Sequence, residues 1–542
     1  MSIIFKKKKR ARNDLVVMRD WAKLHPVSSP TDPYYLQLCN KTLKIILNSE
    51  LKDDFDTAED MIRQACILVA YFEDVISETG LFRAFNERYK ALYGNGYLPF
   101  YDTATDYYPG EINLYDVQFL VWHSLSIQCW EDDGLLFNPF FQDSILTAIN
   151  AVYDLFDREF EHAPQNGEMQ EFMRLPPHPD VNEIRNRLDF LVSQSYLNII
   201  EYTVFTDKMY KRLEKEAFDD SQDLMKCLKK QEAQRYDEHV DRMFNHCSAL
   251  LAQRASEELA ALAGETHPQY QLLKRFSERK IGCFLFRKEN AEEMVFEHIP
   301  SKTQVKVSKE YLTIQSGELT PDRSIMAMGI VKWGNTWQQM GAAAVFDNEN
   351  DFNKNNDWPG AEAFDNEEAK NDALKQMYGF FLQASGGKQA VFIKNMEDWH
   401  DFYARFLDAH SGEADGMQTQ KKTALMEEAS NFMKERNLPM TVFFNLKGGL
   451  EFYPGVDVTP ATPGNDSPEA EKNAPLEVFI VQRHCAKEFV DYLRDNRLTG
   501  APPPGKSWMD ASVILANYDF LLRYYKQNDY WTQPHISLVE TN

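Results

Sequence analysis

In the first half of the chain, hydrophobic residues recur every three or four positions, which is the spacing of amphipathic helices. Three such stretches cover residues 57–76, 144–161 and 181–205, and Thr57 stands at the expected N-cap of the first. Residues 207–263 are highly charged but keep an apolar stripe, which predicts one or two long helices with ion-paired outer faces. We therefore predict a helical domain over residues 21–276.

The pattern changes near Lys280. Short runs rich in β-branched and aromatic residues follow, separated by turn residues such as Gly334-Asn335. They predict a meander of strands that forms a small antiparallel barrel, closed or half-closed, over residues 277–346. Trp333 and Trp337 flank the last turn, and we expect their side chains on one face of the hairpin. We favour burial of this pair, and the alternative is an exposed site for a partner.

The rest of the chain predicts an acidic linker and an α+β domain. Residues 347–372 hold nine Asp or Glu against two Lys, which favours a linker. Residues 373–542 begin with a strand and a helix, followed by a hairpin over residues 440–455. A second strand (EVFIVQ, residues 477–482), further helices and a last strand (HISLVE) complete the prediction. The predicted fold class is a multi-domain α+β protein.

Charge and cysteine content restrict the functional class. The net charge is −24, although six cations lie within residues 6–12, in a basic arm (residues 1–20) that we expect to be flexible. Such an acidic body repels nucleic acids and anionic membranes, so nucleic-acid binding is expected only through Lys6–Arg12. No apolar run reaches the ~18 residues of a membrane span. The seven cysteines form no C-x-x-C pair, which favours free thiols in a cytoplasmic protein.

Two sequence motifs suggest ligands that we do not expect. The stretch GAPPPGKS (residues 500–507) fits the spacing of a phosphate-binding loop, but its three prolines lack the N–H groups that such a loop uses. We interpret it as a stiff turn, with Gly500 as the C-cap of one helix and Ser507 as the N-cap of the next. Residues 351–362 carry several ligand positions of a calcium loop, yet Pro359 and the preceding strand argue against one. We predict no cofactor and no metal.

The aromatic and acidic region at residues 97–126 is a candidate site. Tyr107, Tyr108 and Tyr115 are placed to line a groove, with Trp122 and His123 on the following helix. The alternative, which we favour, is that the helix residues are ordinary core and that His123 is a buried, hydrogen-bonded histidine.

Several stretches resemble an uncharacterised family of Bacteroidetes proteins, a domain of unknown function. They are FEHIPSKTQVKVSKEYL with its His298-Ile299-Pro300, GIVKWGNTWQQMGA, LYDVQFLVWHSLS and YDFLLRYYKQNDYWTQPHISLV. The resemblance implies a bacterial, cytosolic protein and no assigned activity.

Three functional hypotheses follow. The first is a non-catalytic protein-binding or adaptor protein, because small β-modules and long charged helices offer binding surfaces. The second is a hydrolase or transferase with its site in residues 97–126. The third is a nucleic-acid-associated factor that uses the basic arm.

Overall fold

The structure is a computed structural model of the 542-residue chain. It describes residues 15–94, 110–128, 138, 141–219, 224–276, 279–355, 367–411, 419–436, 438–459, 473–500, 511–530 and 537–539. Tyr107, Tyr108, the basic residues Lys6–Arg12 and most of the GAPPPGKS stretch, Ser507 included, lie outside these ranges. Within the described ranges, no helix combines the length and the apolar character that a membrane crossing requires.

Helices make up the described chain up to residue 276, as predicted. They are α1 (Met18–Trp21), α2 (Asp32–Leu47), α3 (Ala58–Ser77), α4 (Leu81–Tyr93), α5 (Leu114–Gln128), α6 (Asp143–Glu159), α7 (Gly167–Met173), α8 (Val181–Ser193), α9 (Ile199–Asp219), α10 (Leu224–Asn245), α11 (Ala255–Ala263) and α12 (Tyr270–Lys274).

Local hydrogen bonds explain where these helices begin and end. Thr57 caps α3 by accepting from the backbone N–H of Asp60. The predicted helix over residues 181–205 is instead two helices, α8 and α9. Between them, Asn198 donates to the Leu191 carbonyl (2.9 Å) and Ser195 accepts from the Leu197 N–H (3.3 Å). Such side-chain bonds to the backbone compete with the helical ladder and separate the two helices.

The predicted barrel exists and is closed. Its strands are β1 (Lys280–Glu289), β2 (Glu293–His298), β3 (Gln304–Ser308), β4 (Ile325–Trp333) and β5 (Thr336–Phe346), in the order β1-β2-β3-β5-β4, with β4 pairing back onto β1. The predicted antiparallel meander is wrong in one respect, because β5 lies between β3 and β4 and pairs with β3 in parallel. This is the topology of a five-stranded Greek-key barrel of the OB type. Its interior is an apolar cluster that includes Phe284, Phe296 and Met328.

The two tryptophans of the hairpin lie on opposite faces, which corrects the prediction. The turn holds two residues, so Trp333 pairs with Thr336 and Lys332 pairs with Trp337. Cross-strand partners share a face and neighbours along a strand do not, so the pairs separate the tryptophans. Trp333 packs edge-to-face on Phe276, at 5.2 Å between ring centroids, against the helical domain. Trp337 packs against the barrel interior. Both are therefore partly buried.

The segment predicted as an acidic linker contains more regular structure than expected. Helix α13 (Glu349–Asn355) follows β5, and its Phe352 packs edge-to-face on Phe346, at 5.3 Å between ring centroids. The early positions of the calcium-like pattern therefore lie in a helix, and its last positions, through Glu362, lie outside the described residues.

The C-terminal part is α+β, as predicted. Its described elements are α14 (Glu367–Ser385), β6 (Ala390–Ile393), α15 (Met396–Ser411), α16 (Thr419–Lys434), β7 (Met440–Asn445), β8 (Gly449–Pro454), α17 (Leu476–Val481), α18 (Lys487–Asp495), α19 (Ala511–Ala516), α20 (Tyr518–Tyr525) and β9 (Ser537–Val539). The four strands form one sheet in the order β6-β7-β8-β9, with β9 parallel to β8.

Two local predictions in this part are wrong. EVFIVQ is the helix α17 and not a strand, because Pro475 stands at its N-cap and a short apolar run suits a buried helix as well as a strand. Gly500 does not cap a helix, since α18 ends at Asp495. Gly500 instead donates its N–H to the Ala474 carbonyl (3.0 Å), and a Cβ there would overlap the Asn473 carbonyl oxygen.

The largest apolar core crosses the predicted domain boundaries. It joins the N-terminal helices to α17, α18 and α20, and it also includes Val331 and Met340 of the barrel. A separate cluster lies between α14, α15, α16 and the sheet. The last helices of the chain are therefore packed into the helical domain, and this packing positions the site described next.

Candidate functional site

Two of the predicted site residues belong to the core between α5 and α20. Trp122 is 1% exposed and His123 is 2% exposed. The Nε2–H of His123 donates to the Leu197 carbonyl (2.8 Å), which leaves Nδ1 to accept from the Tyr524 hydroxyl (2.7 Å). Burial lowers the pKa of His123 to about 4, so the ring is neutral. His123 is thus a hydrogen-bonded core histidine that solvent barely reaches, and residues 97–109 of the predicted site lie outside the described part of the chain.

The other predicted residues do not form a site in the described part of the chain. Tyr115 is exposed at the start of α5, while Trp333 and Trp337 lie in the barrel and pack against apolar clusters. Sequence reasoning missed Asp116, which is buried beside Tyr71 and accepts a 2.8 Å hydrogen bond from its hydroxyl. Burial raises the pKa of Asp116 to about 8, against the lowering effect of that hydrogen bond.

The structure brings together a group of cations that sequence analysis did not single out. A cavity of about 350 Å³ lies between α9, α10 and the C-terminal helices. We name it the cationic pocket, after four of its lining residues: Lys208, Arg242, Arg483 and Lys526. Glu201 and Asp529 also line it.

Glu201 holds one wall of the cationic pocket in place. It is buried, and it accepts from Arg242 Nη2 (2.7 Å), His246 Nε2 (2.6 Å) and the Ala249 N–H (2.9 Å). Burial alone would raise the pKa of Glu201, but Arg242, His246 and the Ala249 N–H lower it to about 2. Its negative charge is therefore engaged with α10 and the loop that follows, while Lys208, Arg483 and Lys526 bring further positive charge.

The cations of the pocket disfavour one another's charged forms, and Arg483 is their common neighbour. Burial lowers the pKa of Lys208, and Arg483 lowers it further. Burial lowers the pKa of Lys526 to about 8, and Arg483 adds to this effect while Asp529 opposes it. Burial also lowers the pKa of Arg242, again with a contribution from Arg483. A cluster of perturbed titratable groups in a cavity is a typical mark of a functional site.

The carboxylate on the other wall does not cancel this charge. Asp529 accepts from the backbone N–H of Lys487 (2.7 Å), and burial raises its pKa. When these side chains are ionised, the lining carries four positive charges and two negative charges. The positive groups are Lys208, Arg242, Arg483 and Lys526, and the negative groups are Glu201 and Asp529. The arrangement is thus suited to bind an anion.

A second cavity, of about 510 Å³, lies on the other side of α9 and α10. There Asp189 contacts His239 Nε2 (3.0 Å), and His239 Nδ1 contacts the Tyr202 hydroxyl (3.0 Å). In the neutral imidazole, Nε2 donates to the carboxylate and Nδ1 accepts from the hydroxyl. A hydroxyl, a base and an orienting carboxylate in this order have the geometry of a nucleophile relay.

Among the residues that the structure describes, no group of three or more His, Cys, Asp or Glu is arranged to hold a metal ion. The five cysteines whose side chains are described, Cys39, Cys66, Cys247, Cys283 and Cys485, are buried and free.

Residues 16–315 match the family model described as "Protein of unknown function (DUF3843)". The chain belongs to this family. No curated protein and no solved structure gives a significant match. The family match confirms the resemblance to a domain of unknown function, and the bacterial origin remains a prediction. The matched range holds Lys208 and Arg242 of the cationic pocket, whereas Arg483 and Lys526 lie beyond it.

Proposed function

We propose that the protein binds a small anionic molecule, one that carries phosphate or carboxylate groups, in the cationic pocket. The observation that carries the proposal is the convergence of four cations around one cavity in a chain with a net charge of −24. Acidic proteins have no general reason to gather cations in a concavity, because the cations repel one another at a cost to stability. A bound anion removes that cost.

The size and charge of the pocket restrict the ligand. A cavity of about 350 Å³ falls within the ~300–1,000 Å³ range of small-molecule sites. A nucleic acid polymer would meet the acidic body around the pocket, so a small ligand is favoured. At an effective dielectric of about 20, one cation about 5 Å from an anionic group contributes ~3 kcal/mol before desolvation. Several such contacts are enough for micromolar binding after the cost of desolvation.

Calorimetry and thermal melts with phosphate, pyrophosphate and citrate at constant ionic strength test this proposal. We expect binding that stabilises the fold, and a loss of about tenfold in affinity for Arg483→Gln and for Lys208→Gln. Lys375→Gln is the matched control, because Lys375 is an exposed cation of α14 that contacts Asp372. Failure of all three anions to bind at millimolar concentration would refute the proposal, as would equal affinity loss in the control.

A second candidate function is hydrolysis or group transfer in the cavity that holds Tyr202, His239 and Asp189. The relay geometry of these three residues favours it, and it moves the enzyme hypothesis away from residues 97–126. We expect slow hydrolysis of p-nitrophenyl acetate that Tyr202→Phe and His239→Gln abolish. Tyr210→Phe, on the exposed side of the same helix, should leave the rate unchanged.

The protein-binding and nucleic-acid hypotheses stay predictions. Trp333 and Trp337 pack against apolar clusters, so they lend the adaptor hypothesis no support as an exposed pair. The arm at Lys6–Arg12 lies outside the described residues.

A further inference from the structure

Lys526 differs from the other cations of the pocket in its burial. It directly follows α20, is 3% exposed, and donates from Nζ to the backbone carbonyl of Gln482. It nevertheless lines the cavity. Lys208, by contrast, is exposed on α9. Lys526 is therefore a lysine that water barely reaches in the lining of a cavity large enough for a small molecule.

Burial and a neighbouring cation, Arg483, favour the neutral form of Lys526. The buried Cys485 of the α17–α18 connection and Asp529, in the turn after α20, act in the opposite direction. Burial dominates and holds the pKa of Lys526 at about 8, so about half of the amine is neutral at that pH. A desolvated lysine beside another cation is a recurrent way to obtain a neutral amine nucleophile.

We propose that Lys526 forms a Schiff base with the carbonyl group of an anionic aldehyde or ketone that is held in the cationic pocket. This inference rests on the proposed function, since the anionic group of the substrate binds Arg483, Arg242 and Lys208. The inference adds a substrate class, the carbonyl acids or carbonyl phosphates, to the anion site.

The reaction needs no reagent beyond protein and substrate. The lone pair of Nζ attacks the carbonyl carbon, and the new C–N bond gives a carbinolamine once one proton has moved from nitrogen to oxygen. A second proton on that oxygen lets it leave as water, and a protonated imine remains. Asp529 is the carboxyl group of the pocket wall nearest in sequence to Lys526, and burial raises its pKa, which suits it to donate and accept these protons.

Reductive trapping with glyoxylate and cyanoborohydride tests the inference on the full chain. We expect a carboxymethyl group on Lys526, found by peptide mass mapping, at a rate at least tenfold above that of any exposed lysine. The rate should rise with pH to a plateau above about 8. Glycolaldehyde, a neutral aldehyde of similar size, should label Lys526 at least tenfold more slowly.

Variants separate this inference from the proposed function. Lys526→Arg removes the amine nucleophile and should abolish trapping at this position, and citrate binding to the unaltered chain reports on the anion site separately. Arg483→Gln should reduce trapping by glyoxylate to the level of glycolaldehyde, whereas Lys375→Gln should not. Citrate binding without trapping at Lys526 would overturn the Schiff base alone. Loss of both citrate binding and trapping would overturn the anion site as well.

Discussion

Arg279 joins the barrel to the helical domain, and two glycines make room for it. Its buried guanidinium bonds Asp237 of α10, contacts Asp241 (3.3 Å) and donates from Nε to the Met340 carbonyl (2.9 Å). Gly329 of β4 and Gly341 of β5 lie directly against it. A Cβ at Gly329 would overlap Nε and Nη2 of Arg279 far inside van der Waals contact. The substitution Gly329→Ala must therefore displace the guanidinium.

The expected loss of stability follows from the groups that lose the guanidinium as their partner. Without it, Asp237 loses its ion pair and the Met340 carbonyl loses its donor. Breaking one side of a buried ion pair costs about 3–5 kcal/mol. Replacing glycine by alanine inside a strand returns about 0.5–1 kcal/mol of backbone entropy. We expect Gly329→Ala to lower the free energy of unfolding by about 2–4 kcal/mol.

A double-mutant cycle measured by denaturant unfolding tests the mechanism. Arg279→Met should cost about 3–5 kcal/mol by itself, and Gly329→Ala should cost less than about 1 kcal/mol in that background. Gly379→Ala is the matched control, because a Cβ at that position of α14 meets open space and helix propensity favours alanine by about 1 kcal/mol. If Gly329→Ala costs the same with and without Arg279, the proposed overlap is wrong.

Three further variants probe buried polar groups. Burial raises the pKa of Asp116 from 3.8 to about 8. The folded state therefore favours the protonated carboxyl, and the free energy of unfolding should fall as pH rises from about 4 to about 8. Asp116→Asn should abolish that fall in unfolding titrations. Glu201→Gln leaves Arg242 buried with a weaker partner and should lower the free energy of unfolding by about 3–5 kcal/mol at pH 7. The loss should be smaller below about pH 3, because the carboxylate stabilises the fold only above its lowered pKa. Tyr524→Phe removes the donor to His123 and should cost about 1–3 kcal/mol in thermal melts, unlike Tyr210→Phe at an exposed site.

The barrel shows which features of the fold the local sequence pattern can predict. Alternating residues and turn residues predict short strands within residues 277–346, where the five strands lie, because each strand is determined by its own neighbours in sequence. The order of the strands depends on which edges meet when the sheet closes, and a parallel β3–β5 pair has no local signal. The register of the last hairpin, by contrast, could be predicted from the sequence. A two-residue turn pairs Trp333 with Thr336, and this alone separates the tryptophans.

The helix α17 shows the limit of short apolar runs. A short, mostly apolar run of six residues fits a buried strand and a short buried helix equally well. The elements that pack against the run decide which of the two forms. Here those neighbours are α18 and α20, with which α17 shares the largest core. The start signal at Pro475 was the only local indication of a helix.

The cationic pocket could not be predicted because its residues are far apart in sequence. Lys208 and Arg242 look like surface charges of two long helices, and Arg483 and Lys526 look like isolated cations in a separate domain. Only the docking of α20 on α5 brings them together. That docking runs through Trp122 and His123, which contact Tyr524.

The aromatic residues of α5 therefore affect the pocket indirectly, and not as the ligand-binding residues that the sequence suggested. They do not line a binding groove, but they hold Tyr524, and the next two residues, Tyr525 and Lys526, line the cationic pocket. A change that loosens this contact without unfolding the chain should move the Lys526 wall relative to Arg242 and Glu201. Weaker anion binding is then expected although no pocket residue has changed, since the pocket exists only while the C-terminal helix is docked.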